Sequence, residues 1–135
     1  MLIISFSWTV QALLAGHKSR TRRNWNDGYA MQFKAGQEVQ GWDRLPRAGG
    51  RPVALIVMSA EPYLEPTSQM TEADYEAEGL LWMEQQGIMI RGKQPREFFE
   101  EWKMIDEVVY VVRFQLLKTL VPLALYLPGG SDGTY

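Results

Sequence analysis

Three apolar runs along the chain predict β-strands that are mostly buried. Residues Leu2–Ser7, Arg51–Ser59 and Val108–Leu117 are rich in β-branched and aromatic side chains. A turn at residues 34–36 leads into a further predicted strand, Glu38–Trp42. The hydrophobic pattern therefore places strands from the start of the chain to near its end.

Apolar residues at helical spacing predict short helices between these strands. The first follows the opening strand and ends at Gly16, because glycine is a usual helix stop. Residues Thr71–Asp74 have the form of a capping box and open a helix that we expect to run to Gln86. Pro95 suits the first position of another helix. The residues of its aromatic face that we expect in the core are Phe98, Phe99 and Trp102.

The order of the elements lacks the strand–helix–strand rhythm of a doubly wound sheet. We therefore predict an α+β fold, a small mixed β-barrel of about five to six strands with about two to three short helices. Residues 1–118 are predicted to form one domain, since the chain of 135 residues suits a single core. Pro122 and Pro128 break any regular element in the remainder. Residues 119–135 are therefore predicted to be an extension whose apolar part packs on the domain and whose end is mobile.

The composition excludes several classes of site. The chain has no cysteine and one histidine, so disulfides, thiolate zinc sites and a cysteine nucleophile are excluded, and we expect neither metal nor cofactor. The first seven residues lack the basic start of a secretory signal. No run approaches the roughly 20 apolar residues of a membrane-spanning helix. We expect a cytoplasmic protein without membrane contact.

The net charge of −2 hides two oppositely charged regions. Residues 17–51 hold eight Lys and Arg against three Asp and Glu, whereas residues 61–107 hold four against twelve. Within the first region, residues 17–23 combine five basic side chains with two hydroxyls and no acid. This segment predicts a loop that holds an anionic or polar ligand such as a phosphate, a nucleotide or an RNA strand. The alternative is that the two regions attract each other across the fold.

The basic segment also carries a motif with the pattern G-x-K-x-x-[E/T]-x-R, formed by Gly16, Lys18, Thr21 and Arg23. With this motif the chain resembles the ASCH domain family, whose members share the PUA-like β-barrel fold. The resemblance covers about residues 2 to 118. Supporting matches follow in order at Tyr29-Ala30, residues 33–36, Pro46 with Gly49-Gly50, Met70-Thr71, residues 75–79 and residues 109–114.

The resemblance implies a pocket for a nucleoside or RNA. One branch of the family consists of amidohydrolases that remove the acyl group from N4-acetylcytidine and related N4-acylated cytosines. That branch has Thr where other members have Glu, and its functional set maps onto Lys18, Thr21 and Glu78. The function expected is therefore metal-independent hydrolysis of an N4-acylated cytidine. The alternative is a non-catalytic RNA-binding module, or a ribonuclease, that uses the same loop.

The three residues suit amide hydrolysis, which needs a nucleophile, a base and an acid. Thr21 supplies a hydroxyl, Lys18 is the base if it is neutral, and Glu78 is the acid. Nearby arginines and burial lower the pKa of a lysine, whereas a close carboxylate raises it, so the sequence leaves the sign open. Helical spacing places Glu78 on an inward face, where Lys18 is its natural partner. A plain ion pair between helix and loop is the alternative.

Other residues of the basic region are candidates for ligand contact. Arg23, or the backbone of the loop, is expected to stabilise an oxyanion. Trp25 is expected to stack on a base, together with Tyr29 and Trp42. The further residues predicted to bind nucleoside or RNA are Gly16, Ser19, Arg20, Arg22 and Arg47.

Overall fold

The computed structural model describes residues 1–127 and has the α+β class predicted from the sequence. The predicted mobile end of the extension lies outside the described residues from position 128 onward. The strands are β1 Ile3–Ser5, β2 Arg20–Arg23, β3 Glu38–Trp42, β4 Pro52–Met58, β5 Tyr63–Pro66 and β6 Val108–Thr119. The α-helices are α1 Val10–Leu14, α2 Asp27–Ala30, α3 Glu72–Ala77, α4 Leu80–Gln85 and α5 Pro95–Ile105. Three 3-10 helices cover Pro46–Ala48, Thr67–Gln69 and Leu123–Tyr126 within the same range.

The strands of residues 1–127 form one mixed six-stranded sheet in the order β1-β3-β4-β6-β2, with β5 also paired to β6. β1 runs parallel to β3, and the other pairs are antiparallel. The long strand β6 pairs with β5 and β2 over its first part and with β4 over its second part. This sharing of one long strand curls the sheet into a half-barrel.

Two hydrophobic clusters hold the fold together. The first lies between the curved sheet and α1, and the second lies among α3, α4 and α5. Ala12 on α1 belongs to the second cluster while its neighbour Leu13 belongs to the first, so α1 is wedged between the two. The largest fully buried side chains of the clusters include Phe6, Phe33, Tyr75, Phe99 and Phe114.

The sequence predicted the starts of α3 and α5 correctly, but it missed α4 as a separate helix. The capping box of Thr71 and Asp74 is formed, and α5 begins at Pro95. The single helix expected up to Gln86 is wrong, because it is broken into α3 and α4 at Gly79, whose φ is +90°. With the further short helix α2, residues 1–127 contain five α-helices instead of the two to three expected.

The apolar residues after β6 pack against the first cluster. Val121, Leu123 and Tyr126 are partly buried there. The Tyr126 hydroxyl donates a hydrogen bond to Asp43 Oδ2 at 2.8 Å, and the Gln11 amide donates one to the Tyr126 carbonyl oxygen at 3.0 Å. These contacts fix this part of the chain on the side of the sheet that carries α1. Separately, no helix within residues 1–127 has the length and apolar character needed to cross a membrane.

Candidate functional site

A cleft opens between the two ends of the curled sheet. β1 and β2 stand at opposite ends of the strand order, and no backbone pairing joins them within residues 1–127. The Arg23 guanidinium bridges the gap by donating a hydrogen bond to the Ser5 carbonyl oxygen. The cleft has a volume of about 1120 Å³ and is lined by residues of both strands. The open edge of the half-barrel is therefore the place where a ligand can enter.

A buried ion pair in this cleft joins Lys18, just before β2, to Glu78, just after α3. Lys18 Nζ donates to the Glu78 backbone carbonyl oxygen at 2.8 Å and to Glu78 Oε1 at 3.2 Å. The two side chains are only 1% and 4% exposed. Lys18 is therefore a partner of the inward-facing Glu78, as the sequence predicted. Both residues line the cleft.

Gly79 allows the junction of α3 and α4 to approach Lys18 this closely. A Cβ atom at Gly79 would lie 2.6 Å from the Cβ of Ala12 and 3.3 Å from the Cβ of Lys18. The Ser19 N–H adds a backbone hydrogen bond to the Ala77 carbonyl oxygen at 2.8 Å. Because a side chain would push the two segments apart, the glycine sets the distance across which Lys18 and Glu78 meet.

Arg22 joins three carboxylates behind the ion pair. Its guanidinium donates to Glu78 Oε2 at 2.7 Å, and to Asp74 Oδ1 and Glu65 Oε1 at 3.0 Å each. Asp74 also accepts a hydrogen bond from Arg20. The basic segment was expected to be a loop, but from Arg20 onward it forms strand β2. Arg20 and Arg22, which were expected to bind ligand, are paired with acids of the protein itself. The attraction between the two charged regions therefore holds the helices onto the sheet.

The carboxylates paired with Arg22 have few oxygens left that could bind a metal ion. Both oxygens of Asp74 and of Glu78 accept hydrogen bonds, and Glu65 accepts one from Arg22 through Oε1. Within the part of the chain that the structure describes, no group of His, Cys, Asp or Glu side chains is arranged to hold a metal.

Burial lowers the pKa of the Lys18 ammonium below its ordinary value, because the charged form loses its water. Glu78 opposes this shift by favouring the charged form, and the positive charges of Arg23 and Arg22 add to it. The pKa of Lys18 is therefore shifted downward, a direction that the sequence left open. More of Lys18 is neutral near neutral pH than of a lysine on the surface, which is the state that a base requires.

Thr21 lies on β2 opposite Val112 of β6, and its side chain lines the same cleft. The residue is only 3% exposed. Within residues 1–127 the Thr21 hydroxyl makes no side-chain hydrogen bond. Lys18, in particular, donates to Glu78 and not to Thr21. The structure thus brings Lys18, Thr21 and Glu78 to one cleft and leaves the hydroxyl of Thr21 available to a ligand.

The remaining predicted ligand residues fall into two groups. Arg23 and Trp25 line the cleft, as does Tyr29, whose ring meets that of Trp25 edge to face at 5.0 Å. The second group does not line it: Gly16 lies in the turn after α1, the Ser19 backbone bonds to other segments, and Arg20 is paired with Asp74. The predicted residues outside the cleft lining are Gly16, Ser19, Arg20, Trp42 and Arg47.

Sequence reasoning missed part of the cleft lining. Phe98 and Trp102 were expected in the core, yet they line the cleft while packing only partly against the second cluster. Trp8, which follows β1, was not singled out and also lines the cleft. Trp8 lies three residues after the edge strand β1, and an aromatic residue so close to a strand end is the signal that could have identified it. Of the predicted aromatic face, Phe99 alone is fully buried, at 0% exposure.

Asp74 provides a test of the ion-pair network through pH. Hydrogen bonds from the Thr71 backbone, Arg22 and Arg20 outweigh the effect of burial and lower the pKa of Asp74 from 3.8 to about 2. The folded state therefore gains stability above the unfolded pKa and loses it as pH falls from 3.8 towards about 2. We expect Asp74→Asn to lower the free energy of unfolding at pH 7 by about 2 kcal/mol.

Urea unfolding of both proteins at several pH values measures this contribution. The wild type is expected to lose more stability than Asp74→Asn as the pH falls through that window, so the two converge at the acid end. Glu76→Gln, which replaces an exposed acid on the same helix, is the matched control and should follow the wild type. Parallel pH curves for the wild type and Asp74→Asn would contradict the assignment.

Comparison with known proteins agrees with the fold. No family model matches the sequence, and no curated protein matches it either. Among solved structures, the crystal structure of protein EF3133 from Enterococcus faecalis V583, which carries the family designation DUF984, is similar. The match has a TM-score of 0.52 and 21% sequence identity, over 88% of this chain and 77% of the other. At this identity the likeness concerns the fold alone, a small half-barrel.

Proposed function

We propose that this protein is an amidohydrolase of the ASCH type that removes the acyl group from N4-acylated cytidine. The observation that carries the proposal is the meeting of Lys18, Glu78 and the Thr21 hydroxyl in one cleft, with both members of the ion pair almost fully buried. A merely structural ion pair has no need to line a cleft that a threonine also lines. This set of groups is the one that metal-independent amide hydrolysis uses.

Lys18 is well arranged to take a proton in its neutral form. A neutral amine has two N–H donors and one lone pair, whereas the ammonium form has three donors. The two hydrogen bonds to the carbonyl oxygen and Oε1 of Glu78 use both donors of the neutral amine. The lone pair then remains free to accept the proton of Thr21. Glu78, held on its other oxygen by Arg22, keeps the amine in this orientation.

In the proposed reaction the Thr21 oxygen attacks the acyl carbonyl carbon while Lys18 takes the hydroxyl proton. The amide C–N bond then breaks, and Lys18 returns the proton to the departing N4 nitrogen of cytidine. Water attacks the resulting acyl ester of Thr21, which gives the free carboxylic acid and restores the hydroxyl. Since Lys18 and Arg22 already donate hydrogen bonds to the two oxygens of Glu78, we give Lys18 the acid role that the sequence gave to Glu78.

The surroundings of the triad suit a nucleoside. Arg23 lines the cleft, and we assign to it the stabilisation of the oxyanion of the tetrahedral intermediate. Trp25 and Tyr29 offer ring surfaces to a pyrimidine. Because internal carboxylates neutralise Arg20 and Arg22, the basic segment offers less charge to an RNA backbone than its sequence suggests.

The test is turnover of N4-acetylcytidine by the purified protein, followed as cytidine by chromatography. We expect the wild type to release cytidine and Thr21→Ala to lose at least about 100-fold in kcat. Thr21→Ser should retain part of the activity because it keeps a hydroxyl. Thr119→Ala, at the exposed end of β6, is the matched control.

Salt concentration separates hydrolysis from the RNA-binding alternative. Turnover of an uncharged nucleoside should hardly change with salt, whereas binding through phosphates weakens steeply. No cytidine release at high enzyme concentration, together with salt-sensitive RNA binding that Thr21→Ala leaves intact, would overturn the proposal.

A further inference from the structure

The cleft extends past the reactive groups to a second set of aromatic rings. Trp8, Phe98 and Trp102, here called the aromatic wall, all line it. The rings of Trp8 and Phe98 meet edge to face at 6.0 Å, and those of Phe98 and Trp102 are tilted at 5.8 Å. None of the ring contacts within residues 1–127 connects this wall to Trp25 and Tyr29. The cleft therefore has two separate aromatic surfaces, and one pyrimidine base needs only one of them.

The aromatic wall is continuous with the reactive ion pair. Leu80 is separated from Glu78 only by Gly79, and its side chain lines the cleft beside the pair. Leu80 also belongs to the second hydrophobic cluster, against which Phe98 and Trp102 pack. The wall therefore packs on the same hydrophobic cluster that contains Leu80, the residue two positions after Glu78.

The charges around the aromatic wall are balanced. Arg91 and Lys93 line this part of the cleft, and so do Glu101 and Glu107. Lys93 is paired with Glu101, and the Arg91 guanidinium lies over the Trp8 ring at 4.8 Å from its centroid. Two cations beside two acids do not form the positive track that a chain of phosphates requires. The occupant that these charges favour is uncharged.

The volume of the cleft exceeds what an acetylated nucleoside requires. Pockets for drug-sized ligands measure roughly 300–1000 Å³, and this one measures about 1120 Å³. A nucleoside with an acetyl group is a small member of that class, so its binding would leave the aromatic wall uncovered.

We propose that the aromatic wall receives the acyl group of the substrate, and that the enzyme therefore prefers bulky apolar or aromatic N4-acyl groups over acetyl. This inference rests on the proposed function, because it names the substrate class of the same site. The base lies against Trp25 and Tyr29, and the acyl group runs along Leu80 to the wall. Each buried apolar carbon of the acyl group adds to transition-state binding.

The experiment compares kcat/KM for N4-acetylcytidine and N4-benzoylcytidine in the wild type, Trp8→Ala and Phe98→Ala. We expect the wild type to prefer the benzoyl substrate by at least about 10-fold, the size of effect that apolar pockets give. Trp8→Ala should lower kcat/KM for the benzoyl substrate by about 10-fold and change the acetyl value by less than about 2-fold. Trp8 is 49% exposed, so this variant keeps the core intact. Leu64→Ala, at another exposed apolar residue, is the matched control.

A binding measurement keeps the two proposals separable. Calorimetry on Thr21→Ala compares N4-benzylcytidine, which cannot be hydrolysed, with N4-methylcytidine. We expect Thr21→Ala to bind the benzyl compound more tightly than the methyl compound. Loss of this difference in the double variant with Trp8→Ala would support the assignment of the aromatic wall to the N4 substituent. Turnover of both acyl substrates with equal kcat/KM, unchanged by Trp8→Ala, would overturn this inference and leave the proposed function standing. Absence of turnover with either substrate would overturn the proposed function itself.

Discussion

Replacing Lys18 by methionine is expected to lower kcat for N4-acylated cytidine by about 100-fold to 10,000-fold, the usual contribution of a positioned base. Methionine keeps the length and the apolar part of the side chain, but it cannot take the proton of Thr21. Glu78 remains paired with Arg22 through Oε2, so one charge partner of the buried carboxylate survives. Steady-state kinetics by chromatography measures the effect. Thermal unfolding of the same sample shows that the variant is folded.

Lys34→Met is the matched control for this prediction, since Lys34 is a surface residue paired with Glu61 at 3.3 Å. It should keep the activity of the wild type. The pH profile adds a second readout: kcat/KM of the wild type should rise with pH, because only the neutral amine accepts a proton. Its midpoint should lie below the ordinary lysine pKa of 10.5, because burial lowers the pKa of Lys18. Full activity of Lys18→Met would remove Lys18 from the mechanism.

Replacing Gly79 by alanine is expected to cause a large loss of stability, because the backbone conformation and the surrounding space both disfavour a side chain there. The backbone at Gly79 has a φ of +90°, which L-residues adopt at a cost of about 1–2 kcal/mol. The added Cβ would also lie 2.6 Å from the Cβ of Ala12, and overpacking of a tight contact costs about 1–3 kcal/mol. We expect a total loss of about 3 kcal/mol in the free energy of unfolding, measured by urea denaturation.

Gly36→Ala separates the two causes. Gly36 has a similar φ of +82°, but a Cβ there would meet nothing within 4 Å. It should therefore show the backbone cost alone, about 1–2 kcal/mol. Gly79→Ala should also lower activity, because the contact with Ala12 and Lys18 would move the carboxylate of Glu78. Equal losses of stability in the two variants would show that the close approach at Gly79 is not important.

Much of the fold was predictable because its strands are apolar and its helix starts carry local signals. The structure has β3 with the predicted bounds, and β4 and β6 lie within two residues of theirs. β2 was missed because its residues are three arginines and a threonine, a composition typical of a loop. Arg20 and Arg22 pair with acids that lie at Glu65 or later in the chain. The strand therefore depends on contacts between distant segments, which the local composition does not show. The helix break at Gly79 has the same origin, since α1 lies against it.

The sequence predicted several residues of the cleft lining but not the shape of the cleft. The motif and the inward spacing pointed to Lys18, Thr21 and Glu78, which all line one cleft. The sequence could not show the direction of the Lys18 pKa, because burial depends on the packing of α3, α4 and β2 together. It also could not show the aromatic wall, whose rings come from segments about 90 residues apart in the chain.

A single-turnover experiment tests the central claim most directly. Excess protein is mixed with N4-acetylcytidine, quenched with acid at successive times, and examined for cytidine and for acylated peptides by mass spectrometry. We expect one cytidine released for each substrate, and one acetyl group on the peptide that contains Thr21 at early times. Cytidine release no faster than that of Thr21→Ala, with no acetyl group on the peptide, would contradict the account.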